Sequence, residues 1–256
     1  MGFEDRTALV VGGSRGLGRA VAIALAREGC RVLAAGRSKE ALQDSAWAAE
    51  ARGLKLATAR GDVTNEAVAR RLVRLAAAGS RRGTKRASRT HGLAPDILVH
   101  AAGDYWEGPF SKLTPEIWES LVRSNVTSAI SVLRAALPGM RRRRYGRILL
   151  FGVAGGDAPR AAGRAHAYRA VKLALLTLAR SVAHEEAEHG ITVNVILPGV
   201  IQTRGTLPRW ANAAGRIPAR RLGSPGEIAR AALFLLAEES GYITGSALHV
   251  SGGYLL

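Results

Sequence analysis

Short apolar runs alternate with longer segments of helical period from one end of the chain to the other. The runs fall at 8–11, 31–35, 55–59, 96–100, 147–151, 192–197 and 247–250. Stretches such as Ala8-Leu9-Val10-Val11 and Ile148-Leu149-Leu150-Phe151 are apolar at every position, as strands buried on both faces require. Segments with a 3.6-residue repeat lie near 16–28, 39–52, 65–78, 115–137, 164–188 and 225–237. This alternation predicts an α/β fold: one domain over 1–256, a Rossmann-type doubly wound parallel sheet of seven strands with helices on both faces. The stretch 79–95 breaks the pattern. It is basic, small and polar, and reads as a surface loop insertion.

The first strand runs into Gly12, Gly16 and Gly18, and a helix follows. Glycines there allow a tight turn and a close approach by phosphate, and the helix N-terminus supplies free N–H groups and a positive dipole end. Glycine loops also serve plain turns, but one placed between the first strand and first helix of a βα alternation points to nucleotide binding. The second strand ends Ala35-Gly36-Arg37-Ser38, without the carboxylate that would hold a ribose 2′-hydroxyl. Arg15 and Arg37 instead offer two guanidinium groups to a 2′-phosphate, so NADP (NADPH) is the expected cofactor.

Charge is the unusual bulk property. The formal net charge is +17, and only five of the 37 basic residues are lysines. One cluster is Arg81, Arg82, Lys85, Arg86 and Arg89; the other is the run 141–144. Neither has aromatic residues interleaved, so solvated surface is the favoured reading over a specific nucleic-acid site. No apolar run approaches the ~20 residues that cross a bilayer, and a strand starting at Thr7 leaves no room for a signal peptide. The single cysteine, Cys30, excludes an intrachain disulfide, and the histidines show no metal-ligand spacing. A cytoplasmic protein without a metal or membrane is expected.

Tyr168 and Lys172 stand four apart within a helical segment and so share a face, where an ammonium can make a phenol more acidic. That is a proton-transfer pair. With the glycine turn, it makes the chain resemble the short-chain dehydrogenase/reductase family, of the 3-oxoacyl-carrier-protein-reductase-like kind, over about Arg6 to Gly253. Further stretches match in order: Gly61-Asp62-Val63-Thr64, His100-Ala101-Ala102-Gly103, Arg123-Ser124-Asn125, Pro198-Gly199 to Thr203, and the closing Gly252-Gly253. The resemblance implies that Asn125, Tyr168 and Lys172 are catalytic. It also implies cofactor contacts at Gly12, Ser14, Arg15, Gly16, Leu17, Gly18, Arg37, Ser38, Asp62, Val63, Ala101, Ala102, Gly103, Tyr168, Lys172, Pro198, Gly199, Val200 and Thr203.

The family's serine, which steadies the substrate oxygen, has no counterpart: no Ser or Thr lies between Arg147 and Tyr168. Counting back from the tyrosine lands on Gly155, and aligning from the strand lands on Gly152 or Val153. His166, Tyr105 and Trp106 are conceivable substitutes, each read first as ordinary packing. Val11 and His100 also depart from the family's Thr and Asn. The segment 203–221 stands where relatives keep a substrate lid, with Trp210 suited to an apolar substrate and Arg204, Arg209 or Arg216 to an anionic group. The expected function is NADPH-dependent reduction of a ketone or oxoacyl substrate, with Tyr168 as general acid, in a homo-oligomer (tetramer or dimer). The alternative is an NADP-binding pseudoenzyme or scaffold.

Overall fold

All seven strands are parallel, in the order β3-β2-β1-β4-β5-β6-β7. They are β1 (Thr7–Val11), β2 (Arg31–Gly36), β3 (Ala57–Arg60), β4 (Ile97–His100), β5 (Gly146–Phe151), β6 (Ile191–Pro198) and β7 (Ala247–Val250). The computed structural model describes residues 2–78, 93–159, 161, 163–203, 210 and 213–255. The basic cluster of the 79–95 insertion lies outside the described residues, as do Arg204 and Arg209.

Because successive side chains of a strand point to opposite faces, each strand feeds two cores. Leu9, Val11, Leu98, Ile148 and Leu150 pack against α3 (Glu66–Ala78), α5 (Ser128–Arg143) and α6 (His166–Glu186). Ala8, Val10, Ile97, Val99 and Leu149 pack against α1 (Gly16–Arg27), α2 (Lys39–Glu50) and α7 (Pro225–Leu236). The chain starts at the centre with β1, winds out to β3 and returns to β4. A crevice therefore opens where β1 and β4 part at their carboxyl ends.

Two boundaries differ from expectation. β3 starts at Ala57 instead of residue 55, because it pairs only with Leu33–Gly36 of β2. The helix expected at 115–137 is divided into α4 (Pro115–Val122) and α5 by a π-helical turn at Arg123–Thr127, and α5 runs on through Pro138 to Arg143. Of the basic run at its end, Arg141, Arg142 and Arg144 are exposed and Arg143 is partly buried. Arg141 pairs with the fully buried Glu186, Arg143 with Asp96 at 3.6 Å, and Arg144 turns left-handed to cap the helix.

The amino ends of the central strands meet at Asp96. Its Oδ2 accepts from Thr7 N and Thr7 Oγ1, both at 2.9 Å, while Arg6 and Arg143 lie 3.9 and 3.6 Å from Oδ1. Arg6 and Arg147 also flank the Tyr145 ring, at 3.9 and 4.5 Å from its centroid. Removing this carboxylate leaves the buried Thr7 N–H and hydroxyl without their acceptor and takes one charge partner from Arg6 and Arg143, which keep Glu238 and the carbonyls of Ala94, Pro95 and Tyr145. Asp96→Ala should therefore cost about 3 kcal/mol in urea unfolding. A loss under about 1 kcal/mol would mean the cluster behaves as an ordinary surface ion pair.

Candidate active site

A cavity of about 1210 Å³ occupies the crevice. Every residue expected to touch the cofactor lines it, from the glycine turn through Arg37, Ser38, Asp62 and Val63 to Pro198, Gly199, Val200 and Thr203. Two glycines of the turn cannot take side chains: a Cβ on Gly12 would lie 2.6 Å from the Ala101 carbonyl carbon, and one on Gly18 would lie 2.3 Å from the Gly12 oxygen. The first N–H groups of α1 thus face a cradle open to phosphate. Ser38 also lines the cavity, but its hydroxyl is committed to capping α2, accepting from Ala41 N at 3.1 Å and donating to Glu40.

Tyr168 and Lys172 face the cavity from the first turns of α6. Lys172 is buried, and its Nζ donates to the Phe151 carbonyl at the end of β5 at 2.8 Å. Burial lowers its pKa to about 8. Burial raises the Tyr168 phenol above its ordinary value, with Tyr105 adding to the shift. The phenol therefore keeps its proton throughout the physiological range and is a weaker acid than free tyrosine, so the acidifying effect expected of Lys172 is not seen in the buried pair. Tyr105 stands edge-on to it, ring centroids 4.9 Å apart, with its own hydroxyl 2.5 Å from Glu107.

Asn125 does not line the cavity; it is fully buried in the π turn behind Gly103. Its Nδ2 donates to Leu121 O and Asp104 O at 3.0 and 3.1 Å. Its Oδ1 has no partner among the described residues. Only glycine fits at 103, since a Cβ there would lie 2.1 Å from that oxygen. Extra-residue helical turns of this kind recur at functional sites, and no periodicity in the sequence announced this one.

Three positions were open for the absent serine, and the geometry separates them. A Cβ on Gly152 would strike Leu197 at 2.3 Å, and Gly155, at φ +64°, lies outside the cavity lining with Arg169 2.5 Å from its notional Cβ. Val153 alone presents a side chain to the cavity. Of the conceivable substitutes, Tyr105 lines it, while His166 packs against Trp106 and Phe110 and bonds the Gly163 carbonyl at 2.9 Å. From the 203–221 segment, Trp210 and Arg216 line the cavity.

Sequence reading missed Asp104, Ser124 and Ser128, all on the cavity wall. Ser128 Oγ gives its one proton to Ser124 O at 2.6 Å, so the 2.8 Å contact with His100 must be a donation from His100 Nε2. His100 is thereby fixed as the neutral Nε2–H tautomer. No sequence signal marks the pair.

A family profile described as enoyl-(acyl carrier protein) reductase matches residues 11–255. The chain is 35% identical to the 3-oxoacyl-[acyl-carrier-protein] reductase FabG of Escherichia coli K12, over 99% of this chain and 98% of that protein. It is 34% identical to the acetoacetyl-CoA reductase of Allochromatium vinosum, over 98% and 99%. The chain belongs to the short-chain dehydrogenase/reductase family. A solved relative is the 3-oxoacyl (acyl-carrier-protein) reductase of Agrobacterium tumefaciens C58 with NADP bound, at TM-score 0.85 and 30% identity, covering 99% of this chain and 95% of that one. Another is an actinorhodin polyketide ketoreductase with NADPH, at TM-score 0.86 and 26% identity, covering 97% and 96%.

For this short-chain dehydrogenase/reductase, His100 carries a checkable cost. Burial, with Lys172 nearby, lowers its pKa from 6.5 to about 3. Below pH 6.5 the unfolded chain therefore takes up a proton that the folded one refuses, and stability falls as pH falls. Between pH 7 and pH 5 this should remove about 2 kcal/mol, read by urea unfolding, and His100→Asn should abolish that increment. Identical pH slopes for the two proteins would show that His100 titrates alike in both states.

Proposed function

We propose that this protein is an NADPH-dependent oxidoreductase that reduces the carbonyl of a ketone or oxoacyl substrate to an alcohol, with Tyr168 as general acid. The observation that carries the reading is the protonated Tyr168 hydroxyl facing the same cavity as the glycine turn and the Pro198–Thr203 stretch. A bound nicotinamide dinucleotide supplies hydride to the carbonyl carbon. Tyr168 supplies the proton to the oxygen, so that C=O becomes CH–OH and the phenol is left as phenolate. The Lys172 ammonium stabilises that phenolate, and its N–H groups not used on Phe151 would hold the ribose of a bound nicotinamide cofactor. Asn125, through Oδ1, holds the water that returns a proton to the site.

Arg37 and Arg15, both on the cavity wall, favour the 2′-phosphate of NADPH. The curated relatives named for 3-oxoacyl and acetoacetyl substrates favour an oxo group near a thioester. Trp210 suits an apolar chain and Arg216 an anionic carrier group. The protein works as a cytoplasmic homo-oligomer without a specific nucleic-acid site. No described helix is long and apolar enough to cross a membrane.

The reading has two tests. NADPH should bind more tightly than NADH, and Arg37→Asp should narrow or reverse the difference; equal affinities in the wild type would sink the cofactor assignment. In NADPH oxidation assays over ketones and oxoacyl thioesters, Tyr168→Phe should fall to background. Val153→Ser should raise turnover on a simple ketone, by no more than the roughly 10² to 10³ that one oxyanion donor supplies. Full activity in Tyr168→Phe would overturn the mechanism, and background activity in the wild type over the whole panel would favour the pseudoenzyme.

A further inference from the structure

Arg37 does not stand free. Its Nη2 lies 2.8 Å from Asp104 Oδ1, with the two side chains 61% and 39% exposed. Arg37 follows β2 and Asp104 lies just beyond β4, and these strands flank β1 on opposite sides. The ion pair thus reaches across the carboxyl end of β1, where the glycine turn begins, and both partners line the cavity. The carboxylate absent from the end of β2 is supplied in space from the loop after β4.

We infer that Asp104 is a specificity-determining residue, the internal competitor of the cofactor's 2′-phosphate for Arg37. This rests on the NADP reading above. With no phosphate present, Asp104 neutralises the guanidinium and keeps it over the crevice. A 2′-phosphate carries more charge than a carboxylate and matches the guanidinium fork with two oxygens, so it displaces Asp104. NADH has nothing to offer in exchange and leaves the pair closed. The exchange is confined to a side chain. The Asp104 backbone stays fixed, its N–H donating to Ser124 Oγ at 3.1 Å and its carbonyl accepting from Asn125 Nδ2 at 3.1 Å.

The competition sets a ceiling on cofactor discrimination. An exposed pair is worth about 0.2–1 kcal/mol, so its loss should tighten binding of a 2′-phosphorylated ligand by roughly 1.4- to 5-fold. The probes are NADPH, NADH and adenosine 2′,5′-bisphosphate, titrated by calorimetry without substrate on the wild type, Asp104→Asn and Asp104→Ser. Both variants should gain for NADPH and the bisphosphate and stay within about twofold for NADH, in line with the small worth of the pair. On an Arg37→Ala background the gain from Asp104→Asn should disappear.

Three outcomes would overturn the inference. A gain that survives Arg37→Ala makes Asp104 a bystander charge. Unchanged NADPH with weakened NADH makes it the hydroxyl's partner. Parallel changes for all three probes remove any role in selection. Each is separate from failure of the NADP reading, which shows in the wild type alone as NADH binding at least as tightly as NADPH.

Discussion

The buried ammonium of Lys172 is the constraint around which the reactive end of the molecule is arranged. A lysine only 4% exposed is costly, and its acceptor here is the last carbonyl of β5. That bond fixes the first turns of α6 against the sheet, which in turn places Tyr168 on the cavity. The same burial that depresses the lysine raises the phenol, so the two shifts have one origin. Burial thus makes the ammonium easier to deprotonate and the phenol harder.

Around that pair the wall is built from close approaches. Gly12 and Gly18 press against the end of β4, and Gly103 presses on Asn125. The loop after β4 therefore serves three neighbours at once: the glycine turn beneath it, the π turn behind it and Arg37 across the crevice. A cavity wall this tightly shared leaves Asn125 behind it, buried and not facing the cavity.

What the sequence disclosed follows from distance along the chain. The strands, the glycine turn and the Tyr168/Lys172 pair are local patterns, readable from spacing alone, and with them the family. The π turn was hidden because Arg123–Thr127 keeps the apolar period of a continuous helix closely enough to pass for one. The Arg37–Asp104 and His100–Ser128 contacts join residues 67 and 28 apart, which no window of periodicity sees. Of the 141–144 run read as surface charge, only Arg143 is drawn in, and its partner Asp96 is known only once the fold brings them together. The position of the absent serine was open because a count from the tyrosine and a count from the strand disagree, and only the walls around Gly152 and Gly155 decide between them.

The cluster at Asp96 lies at the opposite end of the strands from every group assigned to chemistry. Five residues of β1, at about 3.3 Å each, separate the two. Ion pairs and stacked arginines secure the strands at one end; Tyr168 on α6, the glycine turn and the loops that line the cavity stand at the other. Substitutions that retune the reactive end therefore leave the anchoring end untouched. Such a scaffold can change side chains at its reactive end without surrendering its fold. Divergence of specificity is, in this architecture, structurally inexpensive.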